Sequence, residues 1–310
     1  MVNLEKIIEN LYSDNFVNYQ INESYSSHWN EYTKKLFVKK KENNFVIHSY
    51  GIANFTDKNL FSIIKSIPRK FFLIYLFIKY INEIEIFNKI SIISNQTKIL
   101  IEFDQIKHGI ILNILKNHIN FKNRKKYICI IGDGHGFFGS LIKKYYPNSK
   151  IIFVNLGRNL FLDAYYVNKC FNNLSSLLLN ENNIQEINNQ DFIFLDSSKY
   201  ELISELPIFL FINIASMQEM NNKTISSYFK YMRKNPNAEF FYCCNRVHKI
   251  LPDSSNIIFD NYPWLKEDKI LVEEICNWYK NYPISTYPFL KRFDGPIKHK
   301  LIRFSNANDK

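Results

Sequence analysis

Lys126-Tyr127-Ile128-Cys129-Ile130-Ile131-Gly132-Asp133-Gly134-His135-Gly136-Phe137-Phe138-Gly139 is the stretch that decides the fold. A short apolar run breaks into alternating glycines and then resumes an apolar pattern through Leu141 and Ile142, which predicts strand, tight turn and helix. Glycine carries no Cβ to keep a ligand off the backbone, and a helix offers unpaired N–H groups at its start. Such a turn is a place to hold a nucleotide.

From residue 127 onward the chain keeps one rhythm: short apolar runs separated by helical patterns. The interiors of the runs at 127–131, 150–155, 191–195, 208–214 and 239–243 read as continuously apolar, as expected of parallel strands covered on both faces. They predict a doubly wound α/β domain over residues 121–310, whose ligand sits beyond the carboxyl ends of the strands. After Cys244 the pattern loosens into an aromatic- and proline-rich extension. A helix is expected at 268–278, a late strand at 300–304 and frayed residues at 305–310.

Residues 1–120 read as a mainly helical cap or substrate-recognition region without a nucleotide motif. Leu4, Ile7, Ile8 and Leu11 recur at helical spacing, as do Trp29, Tyr32, Leu36 and Phe37, the latter helix capped by a serine of Ser26-Ser27-His28. Residues 43–54 read as strand-like or irregular. Pro68 opens an apolar stretch whose residues 71–87 suggest one amphipathic helix, and 103–119 suggest another.

Composition bounds the class. The 310 residues include 27 Phe and 20 Tyr but only 8 Gly and 9 Pro, which is globular and neither low-complexity nor fibrous. The net charge of +11 is spread along the chain, with Lys39-Lys40-Lys41 and Arg124-Lys125-Lys126 as the longest basic runs. Solvated surface lysines account for it, so no nucleic-acid partner is expected. Five cysteines without a Cys-x-x-Cys pattern argue against disulfides and against a structural metal site. The chain opens without a basic stretch followed by an apolar core, and no apolar run near its N-terminal half is long enough to span a bilayer, so a cytoplasmic location is expected. Phosphate-loop, nucleophile-elbow and His-Glu-x-x-His motifs are missing, as is the Asn/Asp-Pro-Pro-aromatic signature of exocyclic-amine methylation on bases.

The glycine turn supports two occupants. Gly134-x-Gly136-x-x-Gly139 fits the dinucleotide fingerprint, and Gly132-x-Gly134-x-Gly136 fits the looser loop of S-adenosylmethionine-dependent methyltransferases. Asn155 ends the second strand, where both classes usually place an acid on the ribose hydroxyls; an amide bonds a hydroxyl without charge assistance. Further on, Asn213-Ile214-Ala215-Ser216-Met217-Gln218-Glu219-Met220 resembles the segment that ends the fourth strand in the sugar O-methyltransferase family. Phe241-Tyr242-Cys243-Cys244-Asn245-Arg246, Tyr262-Pro263-Trp264 and Ser27-His28-Trp29 reinforce the resemblance, which spans about residues 25–280.

The resemblance implies a Rossmann-like methyltransferase domain, S-adenosyl-L-methionine as cofactor and a sugar hydroxyl as acceptor, in surface-glycan biosynthesis. The cofactor would meet Gly132, Asp133, Gly134, His135 and Gly136, then Asn155 and Leu156, then Asp196 and Ser197, then Asn213. The acceptor, on a nucleotide- or lipid-linked glycan, would meet Ser216, Gln218, Asn245, Arg246, Tyr262 and Trp264. Arg246 suits an anionic acceptor group, a structural salt bridge being its second reading. Glu219 is the first candidate for the base that takes the hydroxyl proton and His248 the reserve, although Glu219 reads equally as an acid at a helix start. His135 doubles as a spacer, Asp196 as a helix cap, and Tyr262 and Trp264 as core aromatics. Two positions depart from the methyltransferase pattern: Ile130 stands where an acid commonly precedes the glycines, and Asn155 replaces the ribose acid. They keep open a methyltransferase-fold binding protein without catalysis. The sequence is also compatible with a dinucleotide-dependent sugar oxidoreductase or epimerase, through Gly134-x-Gly136-x-x-Gly139, and with a basic RNA methyltransferase, through its net charge.

Overall fold

The computed structural model describes residues 4–17, 26–32, 36–42, 44–49, 60–121, 126–171, 173–284 and 287–305. Before the glycine turn lie helices α1 (Leu4–Tyr12), α2 (Ser27–Tyr32), α3 (Leu60–Tyr80), α4 (Ile84–Thr97) and α5 (Phe103–His118), with the antiparallel hairpin β1 (Leu36–Lys41) and β2 (Asn44–Ser49) between α2 and α3. There follow β3 (Tyr127–Ile131), α6 (Phe137–Tyr145), β4 (Lys150–Asn155), α7 (Gly157–Cys170), β5 (Ser176–Leu179), β6 (Phe192–Asp196), β7 (Ile208–Ile214), α8 (Asn222–Lys234) and β8 (Phe240–Arg246). The remainder is β-rich: β9 (His248–Ile250), β10 (Asn256–Ile258), β11 (Lys269–Ile275), β12 (Asn281–Pro283), β13 (Leu290–Arg292) and β14 (Ile297–Arg303).

The main sheet runs β11-β14-β8-β7-β3-β4-β6-β5. Every pair from β8 to β5 is parallel, whereas β14 is antiparallel to both of its neighbours. From β3 the chain moves to β4, then to β5 at the sheet edge, steps back to place β6 between them, and returns to lay β7 on the other side of β3. The strand order reverses there, and a crevice opens at that point beyond the carboxyl ends. Register sets the rim level: Ile131 lies opposite Val154 and Asn213, and Asn155 opposite Asp196.

Alternation along the strands divides the core into two layers. Ile128, Ile130, Ile151 and Phe153 face a layer made by α1 and α3 to α7. Cys129, Ile131, Ile152 and Val154 face α8 and the short helical turns beside it. Because both faces are covered, no polar alternation was needed, and each fully buried aliphatic side chain contributes about 1.5–3 kcal/mol. Residues before 120 thus build much of one covering layer, α1 packing on α7 and α4 on α6.

Several expectations need correction. The strand β11 occupies the predicted helix at 268–278. Leu36 and Phe37 begin β1 instead of ending a helix. The 71–87 stretch is shared between α3 and α4, and Pro68 lies within α3. The four-residue β5 had no counterpart in the expected strands. Expectations for residues 33–35, 43, 50–54 and 306–310 lie outside the described residues.

Candidate functional site

The turn from β3 to α6 is held by carboxylates. Gly132, Gly134 and Gly136 all have positive φ, at 76°, 92° and 65°. At Gly132 a Cβ would also lie 2.3 Å from Ser216 Oγ, so this position has neither the conformation nor the room for a side chain. Gly136 begins α6 without any side chain of its own to cap the helix. Asp133 reaches over to do so, accepting from the amides of Phe138 (3.3 Å) and Gly139 (2.9 Å). Asp163, from α7, accepts from the amide of Gly136 at 2.7 Å and from Asn155 Nδ2 at 2.9 Å. Burial pushes the Asp133 carboxyl up to about 6, against the pull of the α6 amides. Asp163 is pushed well above the usual carboxylate range, by burial first and then by the neighbouring Asp133.

Beyond this turn lies a cleft of about 540 Å³ at the strand-order reversal, within the range of small-molecule sites. Gly132, Asn155 and Leu156 form its floor at the ends of β3 and β4. Ser197, Ser198 and Tyr200 follow β6; Ser216 follows β7. Tyr228 and Lys223 project from α8, and Ser26, just before α2, and Trp29, within it, close the cleft. Tyr200 and Tyr228 pair with ring centroids 4.6 Å apart, an aromatic wall beside the β6 rim. Leu156 and Ser197 of the expected cofactor set thus share one cavity with Gly132, Asn155 and Ser216. Asn155 contributes little free polarity, because its Oδ1 accepts from Leu156 N at 3.0 Å and its amide serves Asp163. Asp196 accepts from Ser198 N at 2.8 Å and so caps the helical turn that lines the cleft.

The Asn-x-x-Ser-x-Gln segment is a brace for the strand ends. Asn213, completely buried, donates to Ile131 O (2.8 Å) and Ser216 Oγ (2.6 Å). Its Oδ1 accepts from Met217 N (3.1 Å) and Asn245 Nδ2 (2.8 Å). Asn245 Oδ1 takes the Gln218 amide at 3.1 Å, and Gln218 Oε1 takes the Arg246 amide at 2.7 Å. Asn213, Gln218 and Asn245 therefore tie β3, β7 and β8 together behind the cleft, each amide satisfying backbone groups that burial would otherwise leave unpaired.

Other expected site residues lie elsewhere. Tyr262 and Trp264 pack with Phe229, Phe241 and Phe259 in the α8-side core. Arg246 pairs with Asp294 at 2.9 Å and lies over the Phe293 ring. His248 is exposed and hydrogen-bonded to Asn256 Oδ1 at 3.0 Å. His135 is buried on the far side of the turn against Phe137 and Tyr166, and burial pushes its imidazole down to about 4.

Glu219 stands one layer behind the cleft wall. Its carboxylate faces His28 Nε2 at 3.4 Å and Lys249 Nζ at 3.1 Å, and its carbonyl accepts from Ser26 Oγ at 2.5 Å. Burial raises its pKa, but His28 and then Lys249 outweigh that and hold the carboxyl below its usual range. His28, Lys249 and Asp163 were missed as site residues. Asp163 had a signal: an acid inside Leu160-Phe161-Leu162-Asp163-Ala164 interrupts an apolar helix directly after the second strand. Among the described residues no cluster of His, Cys, Asp and Glu is placed to hold a metal, and no helix is long and apolar enough to cross a membrane.

No protein-family model matches the sequence, and no curated protein matches it. Solved structures match part of it. TrmK of M. capricolum, in complex with S-adenosyl-homocysteine, is 12% identical, with 63% of this chain and 68% of that chain covered at a TM-score of 0.40. An uncharacterized protein from Listeria monocytogenes serotype 4b is 10% identical, with 63% and 67% covered and a TM-score of 0.39. The mitomycin 7-O-methyltransferase MmcR is 8% identical, with 65% and 57% covered and a TM-score of 0.38. At these scores the similarities carry no functional weight.

Proposed function

We propose that this chain is an S-adenosylmethionine-dependent methyltransferase that modifies a sugar hydroxyl. The observation that carries the cofactor choice is Asp133. In a dinucleotide-binding fold the pyrophosphate sits on the amides at the start of the helix after the glycines. Here a carboxylate of the chain itself already holds those amides, and a second, Asp163, holds the amide between them and the turn. A pyrophosphate would lose those donors and meet the Asp133 carboxylate, whereas S-adenosylmethionine, with a sulfonium and an ammonium against one carboxylate, carries net positive charge and would be attracted to it.

The residues present fit the cofactor. A Cβ built at Gly134 meets nothing within 4 Å, so the turn is open where a ligand would approach. The Gly132 to Gly134 backbone would hold the amino-acid part, the Asn155–Leu156 rim the ribose, and Ser197, Ser198 and the Tyr200–Tyr228 wall the base. S-adenosylmethionine supplies a methyl group already activated on sulfur. The chain must then exclude water, orient the acceptor oxygen and take its proton. We assign the proton to the Glu219–His28 pair behind Ser26 and Trp29, with Lys249 keeping Glu219 ionised. The fold favours acceptor contacts on the α2 and α8 sides, through Trp29, Lys223 and Thr224, over contacts on Tyr262 or Trp264.

A thermal-shift titration separates the readings. S-adenosyl-homocysteine at a hundredfold over its Kd contributes ~2.7 kcal/mol, a rise of several degrees for a chain of this size, with no response to NAD. Stabilisation by NAD alone would replace this reading with the oxidoreductase one. Binding of S-adenosyl-homocysteine without methyl transfer to any acceptor sugar would leave the non-catalytic methyltransferase-fold protein, which the internal engagement of Asn155 favours.

A further inference from the structure

Helix α3 is apolar on two opposite sides. Its inner side, with Leu73 and Leu76 buried, packs on α5, and Arg69 pins it there by pairing with Glu102 at 3.0 Å. Its outer side carries Phe71, Ile74, Tyr75 and Ile78, at 72%, 52%, 51% and 72% exposure. The spacing of i, i+3, i+4 and i+7 lines these four up as one stripe. A contiguous stripe of large apolar side chains marks an interaction surface, in contrast to isolated exposed residues.

Charge selects the occupant. The α3 sequence holds Lys65, Arg69, Lys70 and Lys79 and no acidic residue. Lys70 and Lys79 are exposed beside the stripe, and Lys79 Nζ reaches the Tyr75 hydroxyl at 2.9 Å. An isologous contact with a second copy would lay this cationic helix against itself. Aromatic and aliphatic side chains flanked by lysines, on a helix lying along the surface of a net-basic protein, match an anionic lipid interface. We infer that the outer face of α3 docks the protein on anionic membranes, with Phe71, Ile74, Tyr75 and Ile78 entering the headgroup–acyl boundary and Lys70 and Lys79 meeting lipid phosphates. This surface is independent of the chemistry in the cleft.

Sedimentation of the full chain with sucrose-loaded vesicles tests it, using phosphatidylcholine alone and phosphatidylcholine with one third phosphatidylglycerol. The expected result is binding to the anionic vesicles that falls as salt is raised, and at least tenfold weaker partitioning of the Phe71→Ser/Ile78→Ser variant. Both positions are exposed, so the variant should keep its far-ultraviolet spectrum and melting point. A Lys70→Glu variant, which leaves the apolar stripe intact, should lose the preference for anionic over neutral vesicles. Absence of binding to either vesicle, or partitioning indifferent to these substitutions, overturns the inference. So does concentration-dependent self-association in the ultracentrifuge that Phe71→Ser/Ile78→Ser abolishes, because the stripe would then face a second copy.

Discussion

Replacing Asp133 by Asn tests the electrostatics of the glycine turn. Well below its ordinary 3.8 the carboxyl is protonated in both the folded and the unfolded chain, and it costs nothing. As pH rises from its ordinary 3.8 toward about 6, the unfolded chain releases the proton while the folded chain keeps it. The unfolded state then binds fewer protons, so stability falls through this window and levels off above it. The gap between the two values corresponds to ~3 kcal/mol. Asn does not titrate, but it has one acceptor oxygen where Asp133 uses two, Oδ1 for the Phe138 amide and Oδ2 for the Gly139 amide, so one of the two amides loses its acceptor at every pH. The loss of that hydrogen bond shifts the variant by a constant amount, and the difference between variant and parent should move in the variant's favour by up to ~3 kcal/mol between pH 4 and pH 7. Asp163 adds a slope of its own, smaller in the variant because it loses the neighbouring charge. Urea unfolding at half-unit steps from pH 4 to 7 measures the difference. Two curves that stay parallel through the window would show that Asp133 is not the strained group. The same substitution removes a negative charge beside the turn and should weaken S-adenosylmethionine binding at pH 7 more than that of S-adenosyl-homocysteine, which lacks the sulfonium.

Two further substitutions probe the layer behind the cleft. Glu219→Gln should bind S-adenosyl-homocysteine as the parent does while methyl transfer falls at least tenfold; unchanged turnover in a coupled assay removes Glu219 from the proton path. Asn213→Ala breaks four buried hydrogen bonds and leaves the Met217 amide unpaired, so denaturant titration should show a loss of about 3 kcal/mol. A loss below ~1 kcal/mol would mean that the brace is redundant.

The parallel strands were legible because burial on both faces makes them continuously apolar, and that signal is local. β11 was not. Its apolar residues Ile270, Leu271 and Ile275, followed by Trp278, have spacings compatible with a helix, and only pairing with β14 makes them a strand. The short β5 owes its place to β6 for the same reason. At the site, the glycine turn announced itself, whereas the partners that define its charge did not. Asp163 meets Gly136 from 27 residues away, and His28 meets Glu219 across most of the chain. The polar cluster at Asn213 to Glu219 was found as a cluster, but its division into a brace and a carboxylate held by cations depends on contacts with β8, α2 and β9 that no local pattern encodes.

β14 comes last among the described strands, yet it lies inside the sheet, with Ile297 opposite Arg246 and Lys298 opposite Ile275. Until residues 297–303 have been synthesised, β8 presents a bare row of amides and carbonyls, and β11 has no partner in the sheet. β14 thus acts as a clasp between two separated stretches, pairing with β11 on one side and with β8, some fifty residues behind it, on the other. Loss of that one segment would uncover two sticky edges at once, so the protein's solubility during synthesis rests on seven residues far from the cleft.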